Sequence, residues 1–207
     1  MAGLRERQKA GRRRSILAAA ENLFRRDGFD ATPVDAIAEQ AEVAAGTVYN
    51  HFESKGDLLL ALVARDGEEV RAAGRDIIAD PPRDPVAAVR RLLEHYVDHS
   101  LVHLSKSMWR NAMATALTQA DSPFGQGYAQ LDRKLADQVG ELLQVMQGRG
   151  QIAAGIDCRA AGDLLFASCN SLFMGFVARE ERTLAELKRE MARQVKIAFS
   201  GLLAPRP

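Results

Sequence analysis

A stretch near residue 45 combines a glycine with several hydrogen-bonding side chains. When Ala45–Phe52 is projected at 100° per residue, Val48 and Phe52 point to one side. The opposite arc holds Gly46, Thr47, Asn50 and His51. A glycine inside a helix costs about 1 kcal/mol relative to alanine, and it permits close approach to a large partner. Threonine and asparagine hydrogen-bond to base edges or phosphate oxygens. A solvated face on a structural helical hairpin has the same pattern, so the arc alone leaves both interpretations open.

Two short helices must position this arc. The earlier one is predicted to begin with Thr32 as its N-cap and Pro33 in its first turn. Only Ala41–Val43 separates it from the helix that carries the arc, so the spacing predicts a helix-turn-helix over residues 33–52. Glu42 stands in the turn, where glycine is usual because it accepts φ > 0 freely.

Longer helices flank this motif. The first is predicted from about Arg12 to Asp27 and ends at Gly28, and the fourth starts at a capping box of Ser54 and Asp57. Beyond the proline-rich segment 80–85, helical spacing of apolar residues predicts five more helices, near 85–103, 106–119, 124–147, 157–179 and 183–201. No segment shows the alternation typical of strands, so the sequence predicts an all-α fold.

Composition narrows the class of protein. The 207 residues are 47% hydrophobic and 27% charged, as in a globular protein, and no apolar run approaches the ~20 residues that span a bilayer. The N-terminus lacks the apolar region of a signal peptide, so we expect a cytoplasmic protein. Residues 1–14 hold six Lys or Arg against one Glu, and residues 15–70 hold four against eleven acids. A nucleic-acid interface must therefore depend on where individual residues lie.

One long segment resembles a known family. RRRSILAAAENLFRRDGFDATPVDAIAEQAEVAAGTVYNHFESKGDLLLALV closely resembles the DNA-binding domain of TetR-family (TetR/AcrR-like) transcriptional regulators, over about residues 10–63. The resemblance implies an N-terminal three-helix DNA-binding domain with a helix-turn-helix, followed by a larger α-helical ligand-binding and dimerisation domain. The implied division is a basic arm at 1–9, the DNA-binding domain at 10–70 and the C-terminal domain at 71–207.

The same resemblance implies a set of DNA-contacting residues. The expected contacts are Thr32, Ala45, Gly46, Thr47, Tyr49, Asn50, His51 and Lys55. In the family pattern, Gly46 and Thr47 match the positions that read bases, and the others include positions that contact the DNA backbone. Ala44 replaces a common Ser or Thr that caps the recognition helix, and Ala45 replaces a common polar reader. Six basic residues of the N-terminus either reach phosphates or a minor groove or form a solvated tail: Arg5, Arg7, Lys9, Arg12, Arg13 and Arg14.

The C-terminal helices supply less specific signals. The last two are expected to form a four-helix bundle with a second copy, through Ala161, Leu165, Ser168, Leu172, Leu187, Met191 and Val195, although an ordinary intrachain core competes with this interpretation. The expected ligand pocket contains Tyr96, His99, His103, Trp109, Met113, Phe124, Tyr128, Phe166, Asn170 and Phe173. Such a set favours an apolar or aromatic effector.

Three histidines raise the alternative of a metal site. His95, His99 and His103 lie at i, i+4 and i+8, so adjacent pairs have the spacing to chelate a metal. The stripe drifts by about 40° per step around a straight helix, which makes coordination by all three geometrically poor. We therefore expect neither a metal nor another cofactor.

These observations predict a homodimeric, cytoplasmic bacterial repressor. It is expected to bind a palindromic or near-palindromic DNA operator and to be released by a small-molecule effector, without a membrane partner and without enzymatic activity. A metal-responsive or activating member of the same family is one alternative. A helical interaction protein that does not bind DNA is another.

Overall fold

The computed structural model describes residues 2–200 and, within them, every side chain except those of residues 2, 4 and 5. This range contains nine α-helices: α1 (Ala2–Asp27), α2 (Val34–Gln40), α3 (Ala45–Tyr49), α4 (Lys55–Ala79), α5 (Pro85–His99), α6 (Lys106–Thr118), α7 (Pro123–Gly148), α8 (Cys158–Val177) and α9 (Leu184–Phe199). No strand occurs between residues 2 and 200, so the predicted all-α fold is confirmed.

Helix α1 is longer than the sequence pattern predicts. It begins at Ala2 rather than at Arg12, so the described part of the N-terminal arm is helical. Arginine, lysine and glutamine are good helix formers, and their propensity carries the helix past its apolar stripe. The side chain of Arg5 lies outside those described. Gly28 ends the helix with a φ of +89°, the left-handed conformation expected of a glycine at this position.

The first of two compact units contains the helix-turn-helix. It consists of the described residues up to Arg65 together with His103–Tyr128. Its centre is formed by fully buried side chains from α1, α2 and α4, including Ile16, Phe24, Ile37, Leu58 and Leu62. The unit holds more of the chain than the predicted DNA-binding domain, 10–70, because the start of α7 packs on the start of α4. At this contact, a Cβ on Gly127 would lie 3.1 Å from a methyl group of Leu60.

The second unit contains Asp66–Val102 and the described residues from Ala129 onward. Its core takes buried side chains from α5, α7, α8 and α9, among them Leu92, Val139, Phe176 and Leu187. Two helix starts within it are capped by side chains. Thr183 and Glu186 form a complete capping box at α9, and the Asp157 carboxylate accepts two backbone N–H groups at α8.

Helix α8 corrects one expectation from composition. Cys158–Val177 is long and apolar enough to span a membrane, although no such segment was expected from the sequence. The core helix of a soluble protein has the same length and composition, so this property alone is weak support for a membrane segment. Within its own unit α8 contributes buried residues such as Leu165 and Phe176.

The turn between α2 and α3 is made without a glycine. Glu42 has a φ of +55°, in the left-handed region. The flanking backbone is hydrogen-bonded on both sides, from Ala41 N–H to the Ile37 carbonyl at 2.9 Å and from Val43 N–H to the Ala38 carbonyl at 3.0 Å. Ala38 itself is buried, which lets the two short helices approach closely. These contacts hold the strained residue in place.

Replacing Glu42 by glycine should therefore stabilise the protein. The left-handed conformation costs an L-residue roughly 1–2 kcal/mol, and glycine gives back part of this gain as extra freedom in the unfolded chain. We expect Glu42→Gly to raise the free energy of unfolding by about 0.5–1 kcal/mol, measured by urea denaturation. Glu39→Gly is the matched control, because Glu39 is exposed on α2, where the backbone is regular. This substitution should lower the free energy of unfolding by about 1 kcal/mol. Equal destabilisation by both substitutions would contradict strain at Glu42.

Candidate nucleic-acid interface

Helix α3 has one packed side and one open side. Val48 is 1% exposed, and Phe52, which follows the helix, is also buried. On the other side, Gly46 and Asn50 are exposed and Tyr49 is 53% exposed. Thr47 and His51 are half-buried at the edges of this surface. The structure thus places the polar arc outward, as the sequence pattern requires.

Gly46 is not required by the packing of the protein itself. A Cβ built on this residue would meet no atom within 4 Å, and its φ lies outside the left-handed region. An alanine would therefore fit and would favour the helix by about 1 kcal/mol. A glycine that the fold does not need is consistent with a partner that approaches the helix backbone.

The start of α3 lacks a side-chain cap. Ala44 occupies the N-cap position with extended backbone angles, and no side chain accepts the free N–H groups of the first turn. Ala45, the first residue of the helix, is half-buried. The start of a helix is the positive end of its dipole, so this end of α3 favours an anion.

Two predicted phosphate contacts are occupied within the protein. Thr32 is 1% exposed, and its hydroxyl donates to the Gly28 carbonyl at 2.7 Å. It does not cap α2, whose N-cap is Pro33. The Thr32 hydroxyl therefore bonds to the backbone at the end of α1 instead of facing solvent. This corrects both roles predicted from the sequence, the N-cap of α2 and the contact with DNA.

Lys55 is the second of these residues. Its ammonium donates to the carbonyl oxygens of Phe29, Asp30 and Thr32, at 2.8, 3.1 and 3.2 Å. It also lies 4.7 Å from the centroid of the Phe29 ring. An ammonium has three donors, and all three are used here. Lys55 therefore ties the start of α4 to the α1–α2 loop, and this geometry corrects its predicted role as a free phosphate-binding cation.

The basic part of α1 lies beside the recognition surface. The Arg13 guanidinium is 4.9 Å from the centroid of the Phe52 ring. Burial lowers the pKa of His51, and the nearby positive charges of Lys9, Arg13 and Arg12 lower it further. Lys9, Arg12 and Arg13 are exposed on α1, so they add positive charge beside the polar arc of α3. The position of this basic segment next to α3 was left open by the sequence.

Comparisons with known proteins agree with this geometry. The family described as bacterial regulatory proteins, tetR family, matches residues 16–62. The transcriptional repressor KstR of Rhodococcus jostii is 30% identical over 138 residues, which are 67% of this chain but only 58% of KstR. The transcriptional regulator UidR of Escherichia coli K12 is 26% identical over 198 residues, 92% of each chain. The crystal structure of a TetR-family regulator from Pectobacterium atrosepticum is 22% identical, with a TM-score of 0.76 over 96% of this chain and 98% of that one.

The chain belongs to the TetR family. It is a DNA-binding transcriptional regulator, and α2 and α3 form its helix-turn-helix.

The predicted dimer residues of this TetR-family regulator are mostly buried within one chain. Ala161, Leu165, Leu187, Met191 and Val195 are all less than 9% exposed. Ser168 and Leu172 are half-buried. The apolar residues of α8 and α9 that face outward are different ones: Leu164 at 63%, Met174 at 42% and Ile197 at 69% exposure. The face that was assigned to the interface is therefore the one that α8 and α9 pack within their own unit.

The predicted pocket residues divide between the two units. In the first unit, Trp109, Met113, Phe124 and Tyr128 are buried core side chains. In the second, Tyr96 and Phe173 are buried, and the Tyr96 hydroxyl donates to Gln138 Oε1 at 2.8 Å. Phe166 is half-buried, and the Asn170 amide donates to Asp132 at 3.3 Å. Of these residues, Phe166 lines an open groove of the second unit, and Asp132 lies in the wall of the same groove.

The three histidines have different partners. His95 Nε2 lies 3.1 Å from the Val70 carbonyl, and His99 Nδ1 lies 2.9 Å from Asp66 Oδ1. His103 Nδ1 lies 2.9 Å from Glu21 Oε1. The carboxylate of Glu21 also accepts from Arg65. Burial opposes ionisation of Glu21, but the bonds from Arg65 and His103 outweigh it and lower the pKa of this carboxyl.

Because there is open space around Gly46, substituting this residue should affect the stability of the protein and its affinity for DNA in opposite directions. We expect Gly46→Ala to raise the free energy of unfolding by up to about 1 kcal/mol, because alanine favours the helix. The added methyl group would stand between the α3 backbone and DNA, so affinity should fall at least several-fold in a fluorescence anisotropy titration. Gly67→Ala, at a regular position of α4 with space for a methyl group, should raise stability without changing DNA affinity. Unchanged affinity in Gly46→Ala would contradict close approach at this residue.

The hydrogen bonds of Lys55 predict how the Lys55→Met substitution affects the salt dependence of DNA affinity. A lysine that binds a phosphate adds about 0.9 to the slope of log affinity against log salt. Because the Lys55 ammonium is already bound by three carbonyls, Lys55→Met should leave this slope unchanged. It should lower the free energy of unfolding by about 1–3 kcal/mol, as expected when a charged donor is lost.

The control for Lys55 is Arg26→Met, which removes a surface cation whose guanidinium pairs with the neighbouring Asp27. Its effect on the free energy of unfolding should be small, because the side chain is exposed to solvent. A smaller salt slope in Lys55→Met, together with unchanged stability, would restore the phosphate-contact role.

Proposed function

We propose that this TetR-family regulator is a homodimeric, cytoplasmic repressor that binds a palindromic or near-palindromic operator and is released by a small-molecule effector. The observation that carries the proposal is the outward arc of α3 around Gly46, a glycine that the protein's own packing does not require. The similarity to the repressor KstR supports the sign of regulation. In this proposal, residues 10–70 provide DNA binding and residues 71–207 provide dimerisation and effector binding.

Helix α3 enters the major groove in this proposal. Thr47 and Asn50 are the residues that read base edges, since both have hydrogen-bonding groups on the open side of the helix. Tyr49 reaches the DNA backbone, as does His51 from the groove edge. The exposed cations of α1, next to His51, contact phosphates beside the same groove and supply the positive charge that α2 and α3 lack.

The proposed dimer uses the outward face of α8 and α9. Leu164 and Ile197 are large apolar side chains that are more than 60% exposed, and both line a shallow apolar depression with Ser168, Gln194 and Ala198. Contiguous apolar surface of this kind is typical of an interface. A second copy related by two-fold symmetry would cover the same face on both protomers, giving a four-helix bundle. The two copies of α3 would then read half-sites about 34–36 Å apart.

The effector is proposed to bind in the C-terminal domain and to be apolar or aromatic at least in part. Two solved relatives have such ligands in their names: FadR of Thermus thermophilus in complex with lauroyl-CoA, and the SmeT–triclosan complex. Effector binding would favour a dimer whose half-site spacing no longer fits the operator, so DNA and effector would oppose each other's binding.

Selection of bound fragments from random DNA tests this function. We expect the wild-type chain to enrich a palindromic or near-palindromic site, and Thr47→Ala to lose about tenfold or more of its affinity for that site with relaxed preference at one base pair per half-site. Leu164→Glu should convert the dimer to a monomer in sedimentation experiments and weaken operator binding in parallel.

Leu117→Glu is the control for the dimer face, because Leu117 is 72% exposed on α6 in the first unit. It should remain dimeric and bind the operator normally. Enrichment of no sequence by the wild-type chain would overturn the proposed function, whereas an intact dimer in Leu164→Glu would overturn only the assignment of the interface.

A further inference from the structure

Two glycines bring α7 and α8 into backbone contact. A Cβ on Gly162 would lie 2.6 Å from the Gly140 nitrogen and 2.8 Å from the Gly140 Cα, so no larger residue fits there. From this crossing, α7 runs back to Asp132 while α8 runs on to Asn170, whose amide donates to the Asp132 carboxylate at 3.3 Å. The two helices are therefore antiparallel neighbours over this length.

A groove of about 330 Å³ lies between these helices beside the crossing. Its walls are Ala129, Asp132, Arg133 and Ala136 from α7, and Asp163 and Phe166 from α8. The alanines leave room on the α7 side. The half-buried ring of Phe166 provides an apolar wall opposite them. The volume is near the lower end of the range for small-molecule sites in proteins.

The charges around this groove do not balance. The Arg133 guanidinium pairs with Asp163 across the two helices and lies 3.4 Å from Asp137 on its own helix. Asp132 has Asn170 as its hydrogen-bonding partner and forms no ion pair with any of the side chains that the structure describes. The groove is thus lined by two carboxylates and one guanidinium, a formal charge of −1.

Burial makes the Asp132 carboxylate unusual. The residue is half-buried, and this burial raises the pKa of its carboxyl to about 6, while the bond from Asn170 offsets part of the effect. Near pH 7.5 the carboxylate is still ionised, so the groove holds a partly desolvated negative charge. A cation that enters the groove would gain an ion pair with this carboxylate, and aromatic rings such as that of Phe166 also attract cations.

We propose that this groove binds a protonated amine attached to an aromatic or aliphatic group. The ammonium pairs with Asp132, and the apolar part packs against Phe166 and the alanines of α7. The binding site stands on the geometry of the second unit. Its role as the effector site rests on the repressor function proposed above, which it deepens by naming a cationic, partly apolar ligand class.

Isothermal titration calorimetry of the full chain tests the site with a matched pair of probes. The pair is 4-phenylbutylamine, which is a cation at pH 7.5, and 4-phenylbutanol, which is neutral and has nearly the same shape. We expect the amine to bind about tenfold more tightly than the alcohol, the gain typical of one charge-assisted hydrogen bond. Asp132→Asn should abolish this preference. Asp137→Asn is the control, since this carboxylate is 46% exposed on the same helix and does not line the groove.

Thermal melting of the same variants tests whether a loss of amine binding is caused by misfolding. Asn in place of Asp132 removes a half-buried charge while keeping its shape, so Asp132→Asn should melt at the same or a higher temperature than the wild type near pH 7.5. The amine affinity of the wild type should fall as the pH drops through about 6, because Asp132 takes up a proton there; the charged groups beside it are the Arg133 guanidinium and the Asp163 carboxylate that pairs with it. Equal binding of amine and alcohol, or an unchanged preference in Asp132→Asn, would overturn the site.

Operator titrations separate the site from the proposed function. If the regulator is a repressor and this is its effector site, the amine should weaken operator binding by the wild type and leave operator binding by Asp132→Asn unchanged. Amine binding without any effect on an operator that the protein does bind would overturn the regulatory role alone. Failure to bind any operator would overturn the repressor function, while the calorimetric preference for the amine would still support the groove.

Discussion

A helix of five residues has almost no stability of its own in water, and α3 depends on its packing for its existence. The burial of Val48 and Phe52 fixes which way the short helix faces, and Arg13 of α1 lies over the Phe52 ring. The α1–α2 loop, from which α2 starts, is held in turn by the Lys55 ammonium through three carbonyl oxygens. The direction in which Gly46 and Thr47 point is therefore decided by residues that do not themselves face outward.

Electrostatics adds a second condition to this surface. Residues 15–70 carry four basic side chains against eleven acidic ones, which opposes the approach of DNA to the helix-turn-helix as a whole. The cations at the start of α1 reverse this balance locally, because Lys9, Arg12 and Arg13 lie close enough to His51 to lower its pKa. The chain thus combines a neutral reading helix with positive charge supplied by a neighbouring one. The helical form of the N-terminal segment keeps that charge in place.

Much of this arrangement could be predicted from the sequence, and the failures have identifiable causes. The helix-turn-helix and the capping boxes follow from local patterns, and the structure confirms them. Thr32 and Lys55 were given outward roles because residue type does not reveal that backbone carbonyls of the α1–α2 segment accept hydrogen bonds from both side chains. The residues predicted for the dimer interface lie on the faces of α8 and α9 that pack within their own unit, since a helix such as α8 is apolar nearly all round and its sequence does not show which face is covered. Asp132 was missed altogether, because an isolated aspartate gives no signal until Gly140 and Gly162 show which helices meet.

The crossing at Gly140 and Gly162 also limits how the second unit can deform. Two helices whose backbones already touch cannot move closer at that point, but they can rotate about it. The contact therefore acts as a pivot for α8, and Asp163, Leu164 and Phe166 all lie on the C-terminal side of it. A molecule that widens the space beside Phe166 would change the angle at which α8 crosses α7. The exposed side of α8 that carries Leu164 would then change its orientation as well.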